Sequence, residues 1–427
     1  MTDSLGILTQ WLAGGDGGAQ ERCTYASLTL RYDSVCFTQV EDRSAQTLRE
    51  HIYVSAFPLA EWLVHNWWRL RYEPQREDVD WLMSHSLAGI GGGYAWPKLK
   101  ITGDGITTTL SMFPGSSKWE PIRYLEHAKV CLPTKSFERT ALSFLLKVDS
   151  RLQELNVEAA GFFKALARLK EENEDSEIVQ WRKLEALCGY DPDEAPEALI
   201  EALHGHAGEY GIAIVDEFAA AFRNNALGAF ERLDEFKAVG VDVNFPDELR
   251  VANLARGRET EAWADGEVAA KRLRENLDLN GSHLDNKKIG EILSVQDDYF
   301  HCGPATNLGM SAAFADPSAP AMKLHLDKKW HTGRRFDAAR LIGDFQLRTD
   351  EETILPATSA FTYRQKYQRA FARELLLPTE VVRDFWKRKG ADSEAIEALA
   401  DDFEVSPRLV ESTLVNKGLA DRDLLTA

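Results

Sequence analysis

"RRFDAARLIGDF", Arg334 to Phe345, decides how the last third of this chain is read. Its spacing predicts a helix on which Arg340 and Asp344 stand four residues apart, so two opposite charges share one face. Two readings stay open. The pair is a solvated surface contact worth a few tenths of a kcal/mol, or it fills a retained pocket that binds without reacting. Downstream of this helix lie a second, "YRQKYQRAFARELLLP" (Tyr363 to Pro378), and "ALADDFEVSPRLVESTLVNKGL" (Ala398 to Leu419), which reads as helix, turn, helix. Upstream come the helical "AWADGEVAAKRLRENLDL", a short helix "NKKIGEILSV", a loop region rich in Gly, Ala and Pro, and the short strand "AMKLHLD".

A zinc peptidase of the H-E-x-x-H type sets two histidines four apart on a helix so that both imidazoles reach one ion, with the glutamate as general base. Arg340-Leu341-Ile342-Gly343-Asp344 contains none of these groups. The surrounding frame nevertheless resembles the ImmA/IrrE family of metallopeptidase-like proteins, whose motif helix runs R-R-F-x-x-A-H-E-x-G-H. Arg334, Arg335, Phe336, Ala339 and Gly343 match; Arg340 stands at the first histidine, Leu341 at the base and Asp344 at the second histidine. "QRAFARELLLP" is similar to the family's A-N-x-F-A-A-E-L-L-M-P segment, which carries an acidic third ligand near its start, where this chain has "YRQKYQ" and no carboxylate. The tail resembles the family's F-x-V-S segment, so the likeness covers roughly residues 263–419.

The resemblance implies a zincin-like domain that has lost its chemistry. A guanidinium at a ligand position repels a divalent ion, and Leu341 cannot take a proton from water. Neither a catalytic residue, a metal nor a cofactor is expected. The residues assigned to the emptied site, or to a ligand bound there, are Arg335, Arg340, Asp344, Arg364, Gln365, Gln368 and Arg369. The family setting implies a bacterial regulatory or sensor protein of stress response, mobile-element control or phage defence, acting on a protein partner or a small anionic ligand.

At 427 residues the chain predicts several domains. They are drawn as an α+β segment 1–136, a helical region 137–258 and the ImmA/IrrE-like domain 259–427, making the whole α+β and mostly helical. The first segment alternates β-like runs such as "ASLTLRYDSVCFTQ" with a hairpin signal at Gly103-Asp104-Gly105, which predicts an antiparallel sheet. Between them "FPLAEWLVHNWWRLRYEP" has helical spacing. In the middle, "ERTALSFLLKVDSRLQEL" and "AAGFFKALARLKEENED" repeat apolar residues every three or four positions. Asp193 and Pro196 mark a further helix start.

Trp67, Trp68, Arg69, Trp81 and His85 crowd one N-terminal stretch, either as core or as a second binding surface, since tryptophan and arginine fill both roles. Asp80, Ser84 and Ser86 add the residue types of a hydrolytic triad without its motif. A hydrolase working here, or at a rearranged metal site drawn from His301, Cys302, His325 and His331, is the alternative function.

A second alternative is a DNA-binding regulator. The net charge of −18 opposes general attraction to nucleic acid, and the tail's second helix offers only Arg408 and Lys417. The basic run around the motif, from Lys323 to Arg373, either binds an anion or pairs internally. Five scattered cysteines, the lack of a long apolar run and an opening without a basic leader region lead to the expectation of a cytoplasmic protein without membrane contact.

Overall fold

A computed structural model describes all residues except 1–3, 77, 114–119, 247, 248, 250–260, 302, 304–308, 316–320, 350, 391 and 422–427. Antiparallel sheets lie towards the N-terminus and helices dominate the remainder, an α+β arrangement. Two compact units form, residues 1–201 and 202–427. The helical middle region, drawn from the sequence as a segment of its own, is therefore divided between them.

In the first unit, Tyr25–Tyr32 runs antiparallel to Leu5–Trp11, with Leu28 opposite Thr9, and to Ile52–Ser55. Ala26, Leu28 and Leu30 alternate inward and are buried, the period-two pattern of a sheet with one face on a core. The expected hairpin forms between Leu99–Gly103 and Thr107–Met112, its turn closed by the Asp104 carboxylate, which accepts from the Thr107 amide at 2.7 Å. Ala128–Pro133 adds a third strand. The aromatic stretch is two helices rather than one, Ala56–His65 and Trp67–Tyr72, broken at Asn66. The long helix Thr134–Glu154 packs against this part of the unit through Phe137, Ala141, Phe144, Leu145, Val148 and Leu152.

The second unit holds a four-stranded antiparallel sheet in the order Val241–Val243, Met322–His325, Ser311–Ala315, Ile354–Ala357. Only the second of these strands is apparent from the sequence. Val241–Val243 has only three residues, and Ser311–Ala315 and Ile354–Ala357 are each buried at four successive positions, which erases the alternation that marks a half-buried strand.

The expected motif helix is His331–Gln346, and it packs on a partner helix, Tyr363–Leu376, which also packs on Ala262–Asn276. Two glycines permit the close approach. A Cβ on Gly343 would lie 2.6 Å from the Phe371 ring, and one on Gly266 only 2.5 Å from the Tyr367 carbonyl oxygen.

The tail forms Thr379–Lys389, Ser393–Asp402 and Pro407–Asn416. Ser406 caps the last of these, and Pro407 occupies its first turn.

Candidate functional site

The motif helix is buried almost throughout; Arg334, Arg335, Arg340 and Asp344 are each at most 5% exposed. A buried charge is tolerated when it is paired and its remaining hydrogen-bonding capacity is used. Those demands explain why Arg340 and Asp344 do not pair with each other and why neither is a solvated surface group, which corrects the expected contact between them. Asp344 is held by Arg364 of the partner helix, whose Nε lies 2.8 and 2.9 Å from the two carboxylate oxygens and whose Nη2 lies 2.5 Å from Oδ2. This forked contact from a facing helix satisfies more of the carboxylate than a side chain one turn away on the same helix can reach. Arg364 also pairs with Glu352 at 3.2 Å. Burial opposes its charge, but Asp344 and Glu352 overcome that and push its pKa above the ordinary arginine value.

Arg340 turns the other way. Its Nη1 donates to Asp337 at 3.0 Å, and its Nη2 donates to the Thr358 carbonyl at 2.6 Å and to the side-chain oxygen of Gln365. Gln365 in turn donates to Glu217 at 3.0 Å and to the Pro356 carbonyl at 2.9 Å. Glu217 enters from the helix Ile212–Phe222 and also accepts from Thr362 at 2.6 Å. Its burial pushes the carboxyl up, partly offset by Arg364, Thr362 and Gln365.

The partner helix also covers the strand Ile354–Ala357. Gln365 and Gln368 both donate to Pro356, and Arg364 lies 3.5 Å from the Ile354 carbonyl. Proline suits this strand because its missing N–H leaves no donor to satisfy.

The neighbouring arginines are structural clamps. Arg334 donates to the carbonyls of Tyr299, Leu326 and Lys328. Arg335 bonds Asn286, Leu284, His283 and the Glu404 carbonyl, and pairs with the Glu404 carboxylate at 2.9 Å. Lys323 pairs with Asp242. Much of the basic run is thus consumed internally, although among the described residues Arg340, Arg369 and Arg373 each keep one buried nitrogen without a hydrogen-bond partner.

Glu217, Asp337, Glu352 and Thr358 belong to this network and were not among the residues singled out from the sequence. Asp337 lies inside the opening motif, three residues before Arg340, and was the one legible hint.

The N-terminal candidates are core. Trp67, Trp68, Arg69, Trp81 and His85 are at most 7% exposed. His85 stacks on Trp81 with ring centroids 4.3 Å apart, and its two ring nitrogens face the carbonyls of Trp81 and Arg69 at 2.9 and 3.3 Å. Its pKa falls to about 3, first through burial. With both nitrogens directed at backbone, His85 has no nitrogen facing Ser84 or Ser86. Arg69 pairs with Glu73 at 2.6 Å and with Asp191, and Trp68 donates to Glu172.

Among the described residues no group of three or more His, Cys, Asp or Glu side chains is placed to hold a metal. His301 and His331 are exposed, His325 is buried against Phe236, and Cys302 lies outside the described residues. In the tail, Lys417 binds both oxygens of Glu267 at 2.6 Å and lies over Trp263, so this basic group is committed within the protein. No helix of the described residues is long and apolar enough to cross a membrane.

No family model, curated protein or solved structure matches the chain.

Proposed function

We propose that this chain is a non-catalytic ImmA/IrrE-like regulatory or sensor protein, its second unit a zincin-like domain whose former metal site is occupied by side chains of the protein itself. The observation that carries this reading is the pairing across two helices. Arg340 and Asp344, at the two histidine positions of the resemblance, are met by Gln365 and Arg364 from the helix to which the resemblance assigns the third ligand. Leu341, at the base position, is fully buried and apolar. In such a protein, binding replaces hydrolysis, with a protein or a small anion as the bound species, in a setting of stress response, mobile-element control or phage defence.

Metal analysis of protein purified without added zinc tests the reading first, with well under one zinc per chain expected. The triple variant Arg340→His, Asp344→His, Gln365→Glu tests the scaffold, since it restores two imidazoles and a carboxylate where the three side chains now stand. This variant is expected to take up about one zinc per chain. Stoichiometric zinc in the native protein sinks the non-catalytic reading; a folded triple variant that ignores zinc sinks the zincin-like one.

A further inference from the structure

Arg340 and Arg369 converge on one acceptor. Both donate to the Thr358 carbonyl, Arg340 Nη2 at 2.6 Å and Arg369 Nη2 at 3.1 Å, which brings two guanidinium groups side by side. Each keeps a buried nitrogen that has no hydrogen-bond partner among the described residues, Nε of Arg340 and Nη1 of Arg369. A buried orphan donor costs about 1–3 kcal/mol, and more on a charged group.

Arg340 is matched by Asp337, and Arg364 by Asp344 and Glu352, whereas Arg369 makes no ion pair among the described residues. Burial, followed by Arg340, pushes the Arg369 pKa down to about 10, with Glu217 and Asp337 opposing. Burial pushes the Glu217 carboxyl up, offset in part by Arg364, Thr362 and Gln365. Phe361, 48% exposed, lies against the Arg369 guanidinium, 4.9 Å from ring centroid to the guanidinium carbon, on the solvent side of that group.

We propose that the Arg340–Arg369 pair binds a small oxyanion, whose oxygens accept from Arg340 Nε and Arg369 Nη1 and reach the site by displacement of Phe361. Paired guanidiniums favour an acceptor with two or more oxygens, because each presents planar, divergent N–H groups. Chloride offers no such geometry. The proposal deepens the small-anion reading of the protein's function, but it rests on the two orphan donors and stands whether or not the domain descends from a zinc peptidase.

The test is calorimetric titration of the full chain with inorganic phosphate and, separately, with acetate, each against chloride at matched ionic strength. Thermal unfolding is followed under the same conditions. A saturable heat and a saturable rise in Tm are expected with phosphate, with acetate, or with both, and the pattern tells a tetrahedral from a planar oxyanion. A folded Arg369→Gln variant should lose the response, Arg369→Lys should weaken it at least fivefold, and Arg388→Gln, at an exposed residue of another helix, should leave it unchanged. No saturable response to either anion in the native protein overturns the proposal, as does an equal response in Arg369→Gln. Metal content does not enter this result, so its failure is separable from failure of the non-catalytic reading.

Discussion

The His85 cluster and the Arg340–Asp344 network are both buried polar assemblies, one in each unit, and they solve the same problem by opposite means. Around His85 burial drives the ring pKa down to about 3, against the opposing pull of the Trp81 and Arg69 carbonyls at its two nitrogens. Around Asp344 the charges are retained, and the protein supplies a forked arginine and a second carboxylate. A neutral buried group needs hydrogen bonds; a charged one needs a partner of opposite sign as well. The first cluster should therefore respond mainly to pH, and the second mainly to removal of one member.

Removing a member of the second should have the greatest consequence. Arg364→Met leaves Asp344 and Glu352 without their shared cation and should destabilise the protein by about 3–5 kcal/mol in urea unfolding. The double variant Arg364→Met, Asp344→Leu should recover more than half of that loss. A double variant no better than the single would mean that Arg364 acts through packing.

Acid should disrupt the first. The folded-state pKa of His85 lies below its ordinary value of about 6.5, so the unfolded chain binds the proton more readily. The contribution is complete above pH 6.5 and is lost as pH falls towards 3. On the order of 3 kcal/mol should be gone by pH 4. His85→Phe, which preserves a ring against Trp81 but does not titrate, should flatten this limb of the stability profile.

Glu217 should show the reverse sign. Its folded pKa is raised, so its contribution is present below the ordinary glutamate range and is lost as pH rises through the folded pKa. Glu217→Gln should remove that slope while leaving the His85 limb intact. Parallel slopes in the two variants would erase the contrast between a neutral and a charged cluster.

Packing variants should have smaller effects. Gly343→Ala drives a methyl group against the Phe371 ring and should cost about 1–3 kcal/mol, with Asp344 still paired. Lys417→Met should cost about 1 kcal/mol, because Arg373 remains to hold Glu267 at 3.1 Å. Urea unfolding reads both.

Sequence periodicity was a good guide where an element had one buried face. Tyr25–Tyr32, the hairpin around Asp104 and the helix Thr134–Glu154 were all legible in this way, because alternation or three-and-four spacing survives when the other face meets solvent. It failed at Ile354–Ala357, where both faces are covered, and at Trp67–Tyr72, where aromatic density concealed a break between two helices. In the site, four-residue spacing put Arg340 and Asp344 on one face, but spacing along a helix says nothing about which side chains the next element brings.

Residue identity and local spacing were enough for the motif helix, its partner helix and the lack of an H-E-x-x-H sequence between them. Which charges meet was settled by the packing of those helices. Arg364 reaches Asp344 across 20 residues of chain, and Glu217 reaches Gln365 across 148. Ion pairs and hydrogen bonds act between atoms a few ångströms apart, and that proximity exists only once the helices have packed.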